Sequence, residues 1–272
     1  MSLLQAIVLA VVQGLTEFLP VSSTAHLILV PWLLGWQDPG LTYDVALHAG
    51  TLAAVLAYFA RTWTGMLRAL LGGARASRQA SERGLLGLIV LATLPAALAG
   101  YFLESYAESV FRSPVLVAGA LMAVAFFLWV ADRRLGLIRS VESVGLADAL
   151  VIGVAQAVAV VPGTSRAGIT IAAGLFRNFR REEAARFSFM LATPIIAGAT
   201  LLEGLKLWRV GFPTGVSTLH FAAGFVVSAV VGYAAIAFLL RYLQVQSLKI
   251  FVAYRLVLGG IILLVEFLRS SA

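Results

Sequence analysis

The sequence predicts an all-α, polytopic membrane protein with six transmembrane helices and two re-entrant helical hairpins arranged as an inverted repeat. Three observations carry this prediction. The chain of 272 residues is 61% hydrophobic and only 12% charged, whereas about a quarter of the residues of a soluble domain are charged. Several apolar runs approach the roughly 20 residues that span a bilayer. Two polar stretches that contain proline interrupt these runs at related positions, which indicates an internal repeat.

The first polar stretch, residues 13–26, reads QGLTEFLPVSSTAH. The apolar run around its start predicts a short helix that ends at Pro20, and Ser22 or Ser23 can cap a second short helix that continues to about Leu34. Irregular backbone at membrane depth is tolerated only against protein or a water-filled cavity. The two short helices therefore predict a re-entrant hairpin.

Three spans are predicted in the rest of the first half, from the apolar runs 45–60, 85–103 and 115–131. The first connection between them is a predicted loop rich in arginine, which the positive-inside rule places in the cytoplasm. Its arginines are Arg61, Arg68, Arg75, Arg78 and Arg83. The second connection fits the outer side. It contains Glu104, Glu108 and Arg112.

The second half repeats this order. Residues 146–161 and 169–176 flank Pro162 and predict a second hairpin. Three spans follow, at 187–207, 221–240 and 250–268. Arginines before and after the hairpin, in 133–139 and 177–186, are typical of cytoplasmic connections.

Each predicted half thus has one hairpin and three spans. Because an odd number of crossings reverses the second half in the membrane, the two hairpins enter from opposite sides. The sequence predicts one membrane domain over residues 1–272, with halves of approximately 1–135 and 145–272 and both termini outside. We expect no cleaved signal peptide, because no positively charged segment precedes the first apolar run. The basic loops suit anionic lipid headgroups and do not indicate nucleic acid as a partner.

The second polar stretch, residues 156–170, reads QAVAVVPGTSRAGIT. Alignment of the two stretches on Pro20 and Pro162 pairs Ser23 with Ser165. The other pairs are Thr24 with Arg166 and, once one residue is skipped, Gln13 with Gln156. The two copies are therefore expected to build one site together.

The polar residues of the hairpins predict an anion site that suits phosphoryl transfer. Two helix N-termini and the Arg166 guanidinium favour phosphate. Ser23 would attack or position the nucleophile, His26 would move protons, and Glu17 would orient His26 or hold a metal.

Each of these residues also has a purely structural interpretation. The hydroxyls could be only helix caps or interhelical hydrogen bonds. His26 could be a satisfied interior histidine, and Glu17 and Arg166 could be a buried ion pair that joins the repeats. His48, four residues after Asp44, could form an interfacial pair or line the site.

With these motifs the chain resembles the bacterial undecaprenyl-diphosphate phosphatase family, the bacitracin-resistance type of integral membrane phosphatase. A Glu/Gln-x-x-x-Glu motif that runs into LPVSSTxH matches residues 13–26, and PGxSRSxxT matches residues 162–170. The resemblance covers essentially the whole chain. It implies hydrolysis of the C55 polyprenyl diphosphate to the monophosphate, which recycles the lipid carrier of cell-wall synthesis. It also implies a divalent cation, Mg²⁺ or Ca²⁺, and an active site open to the periplasmic side of the inner membrane.

The motif positions define the expected site. The expected catalytic residues are Ser23, His26 and Glu17, and the expected metal ligands are Glu17 and Gln13. The expected phosphate-binding residues are Ser22, Thr24, Ser165, Arg166 and Thr170. Two departures from the family pattern matter. Ala167 replaces a serine of the second motif, and Gln13 occupies the first acidic position, so metal binding should depend more on diphosphate oxygens.

The sequence leaves two functional questions open. Attack by Ser23 and attack by a water activated by His26 fit it nearly equally well. A transporter or flippase for a polyprenyl phosphate or another anionic substrate would use the same anion site, although it would need no nucleophile. The expected partners are the polyprenyl diphosphate and membrane lipid, and both a monomer and a homodimer are compatible with the sequence.

Overall fold

The computed structural model describes the backbone of residues 1–37, 40–71, 77–108, 113–134, 136–210 and 217–270. Side chains at 41–42, 77–83, 104–105, 107–108, 203, 207 and 210 lie outside this description. Within the described ranges the regular elements are helices, with one isolated β-bridge between Arg139 and Phe179. The all-helical prediction is confirmed.

The α-helices of the first half are α1 Leu3–Phe18, α2 Ser23–Leu34, α3 Leu41–Tyr58, α4 Ala60–Leu71, α5 Ser77–Glu108 and α6 Pro114–Asp132. Those of the second half are α7 Leu146–Val158, α8 Arg166–Phe176, α9 Arg181–Val210, α10 Thr218–Val245 and α11 Lys249–Ser270. A short 3₁₀ helix, Val141–Ser143, precedes α7.

Five helices among the described residues are long and apolar enough to cross a membrane, and they contain five of the six predicted spans. They are α5, α6, α9, α10 and α11. The remaining predicted span, 45–60, corresponds to α3, which meets α4 at a bend of 75°. Counted with this bent pair, the described residues contain up to six spans, and the prediction of a polytopic membrane protein is confirmed.

The prediction that the first arginine-rich connection is a loop is wrong, because part of this connection is helical. Arg61 and Arg68 lie in α4, which buries Met66 and Ala69 on one side. A cluster of arginines does not distinguish a loop from a helix, because an amphipathic helix also carries arginine on its polar face. Arg78, Arg83, Glu104 and Glu108 lie in α5, and Arg75 and Arg112 lie outside the described residues.

The helix caps correct the alignment of the two repeats. Ser22 and Ser165 are both N-cap residues with positive φ, of 77° and 67°, and each hydroxyl accepts the backbone N–H three residues later. Ser22 is therefore the counterpart of Ser165, and pairing Ser23 with Ser165 is wrong. The constant separation is 143 residues, which also pairs Gln13 with Gln156 without a gap. The cap geometry fixes the register, whereas a proline within a turn can move by one residue.

Each hairpin packs against a helix of the other half. α1 lies along α10, and α7 lies along α5, which holds the matching place in the first half. The halves also meet directly where α3 contacts α9 and α6 contacts α11. Packing of each hairpin against the other half is the pattern expected of an inverted repeat. It brings the two hairpin turns together in the interior.

Asp148 fixes the base of the second hairpin. Its buried carboxylate accepts hydrogen bonds from Arg139 at 2.7 and 3.1 Å, from Arg177 at 2.6 Å and from the Gly145 N–H at 2.9 Å. Two guanidinium groups and a backbone N–H thus satisfy a carboxylate that would be costly to bury alone.

The second hairpin turn should tolerate no Cβ at Gly163. Gly163 has a φ of +91°, and an added Cβ would lie against the Val117 carbonyl oxygen and 3.0 Å from its Cα. Gly35 has a φ of +64° with no atom within 4 Å of an added Cβ, so it is a matched control. We expect Gly35→Ala to cost about 1 kcal/mol and Gly163→Ala to cost about 1–3 kcal/mol more. Thermal unfolding in detergent measures both, and equal melting temperatures would contradict this account.

Candidate active site

Glu17 is the centre of the candidate site. It lies in the last turn of α1 and is 6% exposed. Its Oε2 accepts the Ser23 hydroxyl at 2.6 Å and the Gln13 amide at 3.1 Å. Gln13 and Glu17 meet because residues four apart share one face of a helix. Ser23, the first residue of α2, reaches Glu17 because the hairpin turn folds α2 back beside the end of α1.

Arg166 brings the second hairpin to the same carboxylate. It is the first residue of α8, and its Nη2 donates to Glu17 Oε1 at 2.8 Å. Its Nη1 donates to the Ser188 carbonyl in α9 at 3.2 Å, which fixes the plane of the guanidinium. Glu17, Ser23 and Arg166 therefore converge across the repeats, as the sequence predicts.

His26 does not connect Glu17 to Ser23. Its Nδ1 is 2.7 Å from the Ser22 carbonyl and its Nε2 is 2.6 Å from the Tyr254 hydroxyl. A carbonyl only accepts, so Nδ1 carries the proton and Nε2 accepts from Tyr254. The prediction that Glu17 orients His26 is wrong, because the start of α2 directs Ser23 to Glu17 and turns His26 towards α11.

The other predicted phosphate-binding hydroxyls have different surroundings. Those of Ser22 and Ser165 cap α2 and α8. Thr170 donates to the Arg166 carbonyl and lies 2.6 Å from the Ser188 hydroxyl, so it supports the Arg166 side of the site. Thr24 is exposed at the first turn of α2. Each of these residues lies at or near a hairpin turn, and Thr24 has the most accessible hydroxyl.

Arg255 is a site residue that the sequence analysis missed. It is fully buried in α11 and donates to carbonyls of both hairpin turns, at 3.1 Å to Pro20 and at 2.9 and 3.0 Å to Gly163 and Thr164. A further bond at 3.0 Å reaches Leu121 in α6. The signal was available, because a charged residue inside an apolar span is by default functional. Tyr254 and Ser188 were missed as well, since neither belongs to a hairpin motif.

No carboxylate among the described residues forms an ion pair with Arg255. Its positive charge therefore lies uncompensated behind the turns from which α2 and α8 begin. Helix N-termini carry partial positive charge as well. Together with Arg166, these groups make the space between the hairpins favourable for an anion.

His48 lines the site, in agreement with one of the two interpretations left open. Its Nε2 lies 3.6 Å from Glu17 Oε2, and its Nδ1 is 2.7 Å from the Asp44 carbonyl. Gln13 Oε1 is buried beside them and has no hydrogen-bond partner. The described residues include no group of three His, Cys, Asp or Glu side chains that could hold a metal. The groups here that could bind a metal are the Glu17 carboxylate, the His48 imidazole and the Gln13 amide oxygen.

Comparison with known proteins identifies the family. The family model described as bacitracin resistance protein BacA matches residues 6–261. An undecaprenyl-diphosphatase of Moorella thermoacetica is 47% identical over 269 residues, covering 99% of this chain and 100% of the relative. The protein of the same name from Thermomicrobium roseum is 48% identical over 274 residues, with coverage of 97% and 98%. That of Geobacter sulfurreducens is 47% identical over 270 residues, with coverage of 99% and 100%.

Arg255→Lys should loosen both hairpin turns although it keeps the charge. Lysine has three donors on one nitrogen, whereas the guanidinium reaches carbonyls of three segments at once. Carbonyls left without a donor in the interior cost about 1–3 kcal/mol each. We expect a clearly lower melting temperature in detergent. Arg241→Lys, an exposed arginine of α10, is the control and should melt like the wild type. A wild-type melting temperature for Arg255→Lys would contradict the role given to Arg255.

Proposed function

The chain belongs to the bacitracin resistance protein BacA family, and we propose that it hydrolyses undecaprenyl diphosphate to undecaprenyl phosphate and inorganic phosphate. The observation that carries this proposal is the buried Glu17 carboxylate, which binds the Ser23 hydroxyl of its own hairpin and the Arg166 guanidinium of the other. A nucleophile with its base thus lies beside a phosphate-binding cation. A transporter would need the cation but not the hydroxyl–carboxylate pair, so the transporter alternative gains no support.

In the proposed first step, Ser23 Oγ attacks the terminal phosphorus while Glu17 accepts its proton. The bond from phosphorus to the bridging oxygen breaks, and its electron pair leaves with undecaprenyl phosphate. Arg166 moves from Glu17 to the phosphoryl oxygens, where charge develops in the transition state. The 2.6 Å bond between Ser23 and Glu17 supports Glu17 as the base, in place of His26.

In the second step, His26 Nε2 accepts a proton from water as the water oxygen attacks the phosphorus. The bond to Ser23 Oγ breaks, Oγ recovers its proton from Glu17, and phosphate leaves with the proton held by His26. The tautomer supports this role, because the Ser22 carbonyl fixes the proton on Nδ1 and leaves Nε2 as the basic nitrogen. Tyr254 is a positioning residue, since its hydroxyl holds the ring through Nε2 until substrate and water arrive.

We also propose that a divalent cation, Mg²⁺ or Ca²⁺, takes part. The residues fit such an ion, because the buried Gln13 Oε1, which has no hydrogen-bond partner among the described residues, lies beside the Glu17 carboxylate. Both groups supply the oxygen ligands that these ions prefer. When bound, the ion would neutralise charge on the phosphoryl oxygens. With a single protein carboxylate, most of its other ligands would be oxygens of the diphosphate and water.

The chain is a multi-pass membrane protein, and we propose that its site opens to the periplasmic side with both termini periplasmic. The arginines at the end of α6 and at the start of α9 support this orientation, because basic residues favour the cytoplasmic side. The homodimer stays a prediction, which cross-linking in native membranes can test.

Ser23→Ala and Glu17→Gln should each lower kcat with undecaprenyl diphosphate by about a thousandfold or more, because nucleophile and base act as a unit. Glu183→Gln is the matched control, since it also changes a buried carboxylate but lies away from the site. A rapid acid quench of the wild type should yield a phosphorylated peptide that carries Ser23, read by mass spectrometry. Appreciable turnover by Ser23→Ala, without a phosphopeptide in the wild type, would leave attack by water as the mechanism.

Gln13→Glu should lower the Mg²⁺ concentration needed for half-maximal activity severalfold, because it adds a second carboxylate oxygen beside Glu17. Gln13→Leu removes the amide oxygen and should raise that concentration. Activity of the wild type is expected to vanish with excess chelator and to return with added metal. Identical metal requirements in all three proteins would place the cation elsewhere.

A further inference from the structure

A charged cavity lies away from the candidate active site, where α6 ends and α9 and α11 begin. Its volume is about 210 Å³, and its lining includes Trp129, Asp132, Arg133, Arg181 and Lys249. It shares no lining residue with the candidate site. Lys249 precedes Tyr254 by five residues, which is about 8 Å along a helix axis. The two sites therefore lie at different depths in the helix bundle.

The cavity has an excess of positive charge. Its carboxylate, Asp132, accepts hydrogen bonds from Arg181 and from the Leu248 N–H at 3.0 Å, so it is already satisfied. Arg133 and Lys249 form no ion pair with any carboxylate in the part of the chain that the structure describes. Two cations thus face the cavity without a protein counter-ion, which favours an anionic group.

An exposed aromatic surface continues from the cavity along α6. The Arg133 guanidinium lies 4.1 Å above the Trp129 ring, and that ring is 6.1 Å from Phe126. Trp129 is 38% and Phe126 57% exposed. Since α6 spans the membrane, these rings face lipid, and tryptophan is typical of the interface between headgroups and acyl chains. The anionic ligand that fits is therefore amphiphilic, with its charge at Arg133 and Lys249 and its apolar part along the rings.

We propose that this cavity binds the phosphate headgroup of one anionic phospholipid, with an acyl chain along Trp129 and Phe126. Basic pockets between transmembrane helices commonly bind such headgroups on the cytoplasmic side. Inorganic phosphate would use only the cations and would leave the aromatic surface uncovered. This lipid site is independent of the proposed phosphatase reaction, because none of its lining residues binds Glu17, Ser23 or Arg166.

Native mass spectrometry of the full chain tests the site with phosphatidylglycerol and, as a neutral comparison, phosphatidylcholine. The wild type should retain one phosphatidylglycerol more tightly than any phosphatidylcholine. Arg133→Gln with Lys249→Gln should weaken that binding by about tenfold or more. Arg61→Gln with Arg241→Gln is the matched control, because it removes two exposed arginines that do not line the cavity. This control should bind phosphatidylglycerol like the wild type.

Three results would overturn the proposal. Equal weakening in both double variants would mean that net charge, and not this cavity, holds the lipid. Displacement of phosphatidylglycerol by inorganic phosphate at similar concentration would mean that the site takes a free anion. Trp129→Leu keeps every charge and should weaken phosphatidylglycerol binding severalfold. If the Arg133→Gln and Lys249→Gln double variant does not elute and melt like the wild type, Trp129→Leu serves as the test in its place. Unchanged phosphatidylglycerol binding by Trp129→Leu would then reject the site.

Discussion

The structure depends first on the hydrogen bonds that the buried Arg255 guanidinium donates to both hairpin turns. Pro20 and Gly163, whose carbonyls it binds, are equivalent positions of the two repeats. A buried cation without a carboxylate is costly, and here several carbonyl dipoles offset that cost. Because neither hairpin forms a complete span, each turn needs partners from outside its own hairpin. One side chain from α11 supplies them to both.

This arrangement explains why the candidate site belongs to neither repeat alone. The first hairpin contributes the carboxylate and the hydroxyl, and the second contributes the guanidinium. The packing of α1 on α10 and of α7 on α5 holds the hairpins in each other's reach. The repeats are thus alike in backbone and different in chemistry. Ser23 and Arg166 occupy the same first position of their helices, and in the proposed reaction one acts on phosphorus and the other on its oxygens.

The hairpin motifs allowed most of the site residues to be predicted, but they did not predict which of these residues contact each other. Helix period and capping placed Gln13, Glu17, Ser23 and Arg166 near one another. They did not show whether Ser23 meets Glu17 or His26, because both contacts fit the spacing of α2. Tyr254 decides this by binding His26 Nε2, and it comes from a helix more than 200 residues away. The arginines of α4 illustrate the same limit, since charge marks an exposed face but does not distinguish a loop from an amphipathic helix.

The sequence by itself determined the class of fold, the long spans, the two hairpins and the residue types of an anion site. These follow from the apolar content, from the lengths of its runs and from local capping, which act between near neighbours in the chain. Only the tertiary structure decided the pairing of Glu17 with Ser23 and Arg166, and the place of Arg255 behind both turns. Such contacts depend on how distant helices approach one another, and a buried polar group takes whichever partner that packing brings within reach.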